Sequence, residues 1–114
     1  MHKMNLQELP FQMIKNQTKI IECRLYDEKR KKIKPGDIIL FNNNITDEIL
    51  VTKVIALHIY KDFEQLYKHH NKIEIGYQEN EISDPRDMEK YYDKENIEKY
   101  GVVGIELKLE QVKN

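Results

Sequence analysis

The apolar residues of the chain come in short runs separated by polar turns, which predicts a mixed order of strands and helices. The first run, His2 to Leu6, predicts a strand. Pro10 suits the first turn of a following helix, because the N–H that proline lacks would be unpaired there. Asn16-Gln17 ends that helix, whose apolar side is made by Phe11, Met13 and Ile14.

Three further strands are predicted in the middle of the chain. The second runs from about Lys19 to Tyr26, and the third begins at Ile38, after the turn signal Pro35-Gly36-Asp37. Asn42 to Asn44 then turns the chain. The fourth strand, Ile49 to Tyr60, is largely apolar on both faces, which favours a central strand of a barrel over an open edge.

The second half of the chain adds helices and one last strand. Asp62 is suited to cap a helix, and Asp84-Pro85 starts another, because aspartate and proline are favoured at these first positions. The stretch from Lys72 to Ser83 is polar and predicted to be irregular. A short helix from Glu95 to Tyr100 leads into a strand from Val102 to Leu109. The order predicts one α+β domain over residues 1–114, a small β-barrel with peripheral helices.

Three charges of opposite sign crowd the second strand: Lys19, Glu22 and Arg24. Side chains of a strand alternate between its faces, so Glu22 and Arg24 share one face, opposite the face of Lys19 and Cys23. A charged pair on a strand face needs either water or a ligand-lined groove. From the spacing alone, an exposed ion-pair network is the commoner explanation, and such pairs stabilise little.

The charge of the chain is unevenly distributed around a net value of −1. Residues 19–34 hold seven basic and three acidic side chains, which is locally positive by four. Such a region attracts anionic partners, although a solvated loop explains a lysine run equally well. The half from residue 61 onward has nine basic and thirteen acidic residues, a surface on which an unnamed protein partner is the third alternative.

Composition narrows the class of protein. Cys23 is the only cysteine, so no internal disulfide is expected, and no apolar run reaches the length of a membrane span. No signal-peptide pattern opens the chain, and together these features predict a cytoplasmic protein without membrane attachment. The adjacent pair His69-His70 is poorly spaced for a shared metal, and His58 is predicted to be a hydrogen-bonded wall residue. No phosphate-binding glycine motif is present, so neither a metal nor a cofactor is expected.

The run K-x-x-E-x-R from Lys19 to Arg24, followed by P-G-D-x-I-x-F from Pro35 to Phe41, resembles the ASCH domain of the PUA-like superfamily. The closing E-K-Y-G-V-V-G-I-E-L is also similar to small stand-alone ASCH proteins of bacteria and archaea. The resemblance implies a PUA-like pseudobarrel. The family usually closes the first helix with glycine, where this chain has Gln17, so a mildly strained left-handed cap is expected there.

The resemblance also implies that the K-x-x-E-x-R residues line a cleft that binds RNA or a nucleotide-like small molecule. Arg24 is expected to meet an anionic group, Glu22 to hydrogen-bond a base edge or a water, and Lys19 to complete the pocket. Tyr26 has a ring that would stack on a base, and lysines and arginines nearby would contact phosphates. The predicted ligand-binding set is Lys19, Glu22, Arg24, Tyr26, Lys29 and Arg30.

A small amidohydrolase acting on an acylated or otherwise modified nucleoside is the alternative. Some ASCH relatives remove an acetyl group from acetylated cytidine with a lysine, a threonine and a glutamate. Lys19 matches that lysine, but Glu22 stands at the threonine position, so the hydroxyl nucleophile is missing. The catalytic pair would then be Lys19 holding the acyl oxygen and Glu22 acting as general base. The third residue of the motif would be one of Glu74, Glu79 and Glu81.

Overall fold

The computed structural model describes residues 1–114, and one five-stranded sheet forms its centre. The strands are β1 (His2–Leu6), β2 (Ile21–Leu25), β3 (Ile38–Asn43), β4 (Ile49–Tyr60) and β5 (Val102–Lys113). They lie in the order β1-β3-β4-β5-β2, with β1 parallel to β3 and every other pair antiparallel. The expected α+β class is confirmed.

Three α-helices flank the sheet: α1 (Glu8–Lys15), α2 (Phe63–His69) and α3 (Lys94–Tyr100). Two 3₁₀ turns accompany them, Arg30–Lys32 and Pro85–Lys90, so the helix predicted after Asp84-Pro85 is a 3₁₀ segment. None of the helices is both long and apolar enough to cross a membrane.

The predicted helix caps are present where local chemistry favoured them. The Asp62 side chain accepts a hydrogen bond from the Gln65 backbone N–H at 2.9 Å, which satisfies an N–H with no partner inside α2. Gly101 ends α3 with a positive φ of 72°. Gln17 has a φ of 68°, which confirms the left-handed cap expected after α1.

The sheet does not close into the expected barrel. β1 and β2 are its two edge strands, and no ladder of backbone hydrogen bonds joins them. The N–H groups of Ile20, just before β2, and of Ile21, its first residue, donate to the Glu74 carbonyl, so an irregular segment takes the place of a strand partner. A side chain crosses the gap instead, because Arg24 Nη2 lies 3.2 Å from the Asn5 carbonyl oxygen.

The strand β4 lies in the middle of the sheet, as its apolar sequence predicts. Its two faces are not equally buried, however. Ile55 and Ile59 are 44% and 51% exposed, so the expectation of two covered faces holds for only part of the strand. The pairing of β4 with β5 is irregular between Val54 and Ala56.

The second strand begins at Ile21, two residues later than predicted. The N–H groups of Thr18 and Lys19 both donate to the Met13 carbonyl, which holds this stretch against the end of α1. Lys19 therefore precedes the strand, and strand alternation does not decide where its side chain points. This departure from the strand lets the Lys19 side chain reach Glu22.

Candidate functional site

Lys19, Glu22 and Arg24, here called the charged triad, are joined by short hydrogen bonds. Lys19 Nζ donates to Glu22 Oε1 at 2.6 Å, and Arg24 Nε donates to Oε2 at 2.8 Å, with Nη2 in ion-pair contact with the same oxygen at 2.7 Å. Lys19 is 8% and Glu22 5% exposed. The triad is thus a buried polar cluster, and the interpretation as an exposed ion-pair network is wrong.

Gly76 lets the Lys19 side chain lie flat over the backbone of the 72–77 segment. A Cβ at Gly76 would stand 3.1 Å from Lys19 Cδ, which is tighter than such contacts normally are, and 3.5 Å from Nζ, which is an ordinary contact. The residue also has a φ of 109°, which side chains other than glycine rarely allow. Glycine is therefore needed here both for the turn and for the lysine.

The protonation of the charged triad follows from its contacts. Burial opposes charge on Glu22, but the neighbouring Lys19 and Arg24 outweigh it and hold the pKa of this carboxyl below its ordinary value. Burial likewise disfavours the Arg24 guanidinium, while Glu22 more than compensates and raises the Arg24 pKa. Glu22 is a fixed carboxylate between two cations.

The triad forms the floor of a cleft of about 510 Å³ that opens in the gap between β1 and β2. This volume is within the usual range for small-molecule sites. Positive and negative side chains balance in its lining, with three of each: Lys19, Arg24, Lys90, Glu22, Glu81 and Asp87. The cleft is consequently polar and close to neutral.

Aromatic rings make another side of the cleft, here called the aromatic wall. Tyr67 and Tyr77 meet edge to face with ring centroids 5.8 Å apart, and Tyr92 stacks on Phe63 at 6.0 Å. Tyr91 also lines the cleft and is 60% exposed. The rings give the cleft flat apolar surface beside its charged floor.

The chain is similar to known proteins over nearly its whole length. The sequence model of the ASCH domain matches residues 4–111. The chain belongs to the ASCH domain family. The crystal structure of hypothetical protein PH0355 is similar with a TM-score of 0.80 and 35% identity, covering 95% of this chain and 97% of that one. The solution structure of protein PF0455 from Pyrococcus furiosus has a TM-score of 0.74 and 36% identity, covering 95% and 96%. No curated protein matches the chain.

The remaining predicted binding residues of this ASCH chain lie outside the cleft lining. Tyr26 packs against the core, with Lys31 Nζ 5.8 Å from its ring centroid. Arg30 Nη1 donates to Asp27 Oδ2 at 2.9 Å, and Lys29 Nζ lies 3.4 Å from the Lys3 carbonyl. Their role in binding stays a prediction.

Among the three candidate glutamates, only Glu81 lines the cleft. Its Oε1 accepts a hydrogen bond from the Gln78 backbone N–H at 2.7 Å. Cys23 also borders the cleft but is buried, and burial raises its pKa to about 12, so the thiol stays protonated. His58 contacts Glu106 through Nε2 at 2.9 Å, as expected of a hydrogen-bonded wall residue.

Sequence reasoning missed Tyr67, Tyr77 and Asp87 as members of the site. Tyr67 reads as an apolar position of α2, and Tyr77 is a lone aromatic in a polar stretch. The position of Tyr77 among polar residues was the only feature of the sequence that indicated a role, because an isolated aromatic side chain often packs against another part of the protein. Its partners come from another segment of the chain and could not be read from spacing.

Proposed function

We propose that this ASCH chain binds RNA by accepting one unpaired nucleotide in the cleft above the charged triad. The observation that carries the proposal is a buried cluster whose cations keep unused N–H groups at the floor of a ligand-sized cleft. The base would occupy the cleft, and the rest of the RNA would extend over the surface outside it.

The supply of donors can be counted from the contacts. Lys19 has three N–H bonds and uses one on Glu22, which leaves two. Arg24 uses Nε on Glu22 and Nη2 on Asn5, and its guanidinium also lies beside the Tyr92 side chain, so only Nη1 can remain for a ligand. These donors suit the oxygen and nitrogen acceptors of a nucleobase or a single phosphate.

The balanced charge of the lining favours a base or nucleoside over a polyphosphate in the cleft. A groove that follows a nucleic-acid backbone is normally strongly positive, and this one is not. Flat aromatic surface at Tyr91 and Tyr92 is the kind on which unpaired bases stack in RNA-binding proteins. Recognition of a single extruded base fits both features.

The excess positive charge lies instead in residues 29–34, here called the basic segment. It holds five lysines and arginines and no acidic residue. We assign to it longer-range attraction of the RNA backbone, with Lys29 and Arg30 as the predicted phosphate contacts. Tyr26, against the Lys31 ammonium, belongs to the same surface.

The geometry supports binding more than hydrolysis. A general base at neutral pH needs a pKa near 7 and a free oxygen facing the substrate. Both oxygens of Glu22 accept from cations, and those cations hold its pKa low. Glu22 is therefore a weak base, which counts against the nucleoside amidohydrolase alternative.

Titration calorimetry with short single-stranded RNAs, free nucleosides and acetylated cytidine tests the proposal. We expect RNA binding that weakens about tenfold or more in Arg24→Gln, because the charged contact and its fork geometry are lost. Arg86→Gln is the matched control, since Arg86 is 81% exposed and pairs only with Asp84.

Absence of any RNA or nucleoside binding would refute the proposal, as would equal affinity in a folded Arg24→Gln variant. Release of acetate from acetylated cytidine, lost in both Lys19→Met and Glu22→Gln, would favour the hydrolase instead.

A further inference from the structure

Three polar groups on the aromatic wall form a chain of hydrogen bonds. The Tyr67 hydroxyl lies 3.1 Å from the Tyr77 hydroxyl, and the Tyr77 hydroxyl lies 2.7 Å from Asp87 Oδ2. All three residues line the cleft.

Asp87 decides which hydroxyl donates in each of these hydrogen bonds. Tyr77 has one hydroxyl proton, and the Asp87 carboxylate is closer and more negative than the competing Asp84 carbonyl at 3.1 Å. The Tyr77 oxygen then accepts, so the proton between the two phenols belongs to Tyr67. Burial raises the pKa of Tyr67, which keeps that proton in place.

Tyr67 consequently has no proton left for a ligand. Its hydroxyl makes no hydrogen bond to the protein other than the one to Tyr77, so its oxygen offers the cleft lone pairs only. The aromatic wall is thus an acceptor at this point, while the floor offers unused donors at Lys19 and Arg24.

The two sides are held close by the backbone. Gly76, whose Cα lies against the Lys19 side chain, directly precedes Tyr77. A base that enters the cleft would contact the donor floor with one part of its edge and the acceptor wall with another. The donors on the floor and the acceptor on the aromatic wall are thus both in place before a ligand binds.

We propose that the cleft selects bases with an exocyclic amino group, as in cytosine and adenine, with the Tyr67 oxygen accepting from the amino N–H and Lys19 or Arg24 donating to the ring nitrogen. The proposal rests on the nucleotide binding proposed above. Uracil and hypoxanthine place a carbonyl oxygen and a ring N–H at the corresponding positions. In the same pose the Tyr67 oxygen would face a carbonyl oxygen, and the donor of Lys19 or Arg24 would face the ring N–H. Neither pair can form a hydrogen bond, which lowers the affinity.

The test compares two matched pairs of nucleosides, cytidine against uridine and adenosine against inosine, by calorimetry. We expect the wild-type chain to bind the amino member about tenfold more tightly in each pair. Tyr67→Phe keeps the ring and removes the acceptor, so cytidine and adenosine should lose affinity while uridine and inosine do not.

Asp87→Asn tests Asp87 as a positioning residue. The asparagine amide can donate to the Tyr77 oxygen as well as accept from it, so the Tyr77 proton is no longer held at residue 87. The direction of the hydrogen bonds can then reverse, and the Tyr67 hydroxyl becomes able to donate to a ligand. The ratio of affinities between the amino and the carbonyl member of each pair should then fall toward one, while both members still bind measurably. A drop in affinity for all four nucleosides alike would point to a merely structural role.

Equal wild-type affinity within both pairs, or an unchanged preference in Tyr67→Phe, would overturn this inference. If that result comes with binding that Arg24→Gln abolishes, the nucleotide-binding proposal stands without the selectivity. If neither RNA nor any nucleoside binds, the binding proposal fails and the selectivity with it.

Discussion

The charged triad and the basic segment are neighbours in sequence but differ in their surroundings. The triad is buried, and each of its charges contacts another at less than 3 Å. In the basic segment Lys31 is exposed and lies 3.7 Å from the exposed Glu28, a contact of the kind that stabilises little. The basic segment holds more charged residues than the equally long stretch from Lys19 to Arg24, so burial rather than the density of charge distinguishes a candidate pocket from a solvated surface.

Removing one member of the triad should have the largest effect on stability. Glu22→Gln leaves Lys19 and Arg24 buried without their carboxylate, and we expect a loss of about 3 kcal/mol in the free energy of unfolding. Urea denaturation measures it. The matched change in the other region, Glu28→Gln, should leave the midpoint unchanged, and an equal loss in both variants would contradict the comparison.

The contact between Gly76 and Lys19 should be separable from backbone strain. Gly76→Ala introduces both a disfavoured φ and a clash with the Lys19 stem, and we expect it to lose about 1–3 kcal/mol of stability along with ligand binding. Gly36→Ala is the control, because Gly36 also has a positive φ, 92°, but nothing lies within 4 Å of its added Cβ.

Thermal denaturation measures the stability of both glycine variants, and calorimetry measures their ligand affinity. Gly36→Ala should be destabilised yet bind normally. If Gly36→Ala loses binding to the same extent, the loss comes from instability and not from the displaced lysine.

The triad should also give stability a dependence on pH. The folded-state pKa of Glu22 lies below its ordinary value of 4.5, so its contribution is present above that value and is lost as pH falls toward the folded-state pKa. Denaturation midpoints measured from about pH 7 down to about pH 3 should fall less steeply in Glu22→Gln than in the wild type. Parallel curves would show that the carboxyl is not stabilised by its partners.

Changes in the basic segment should have the smallest effect, and only on RNA. Lys29→Ala and Lys32→Ala should each lower the salt dependence of RNA affinity by about one unit of slope for every phosphate contact removed. Nucleoside affinity should not change, because these side chains do not line the cleft. Salt titrations of both ligands measure this, and a loss of nucleoside affinity would place the segment in the pocket.

The elements that sequence reasoning predicted well depend on local chemistry. Asp62 caps α2, Gly101 ends α3, and Gln17 has its left-handed φ, because each outcome depends on the residue and its immediate neighbours. The same is true of Pro10 in the first turn of α1 and of the bounds of β4, Ile49–Tyr60, which match the predicted strand. Family membership followed from motifs that are likewise short and contiguous.

Contacts between distant segments decided the rest. Strand alternation placed Lys19 opposite Glu22, yet the end of α1 and the 72–77 segment hold Lys19 before the strand and direct its ammonium to that carboxylate. The open sheet has the same origin, since the Glu74 carbonyl takes N–H groups at the start of β2. Periodicity along one segment carries no information about which other segment will pack on it, so the pocket was a property of the tertiary structure alone.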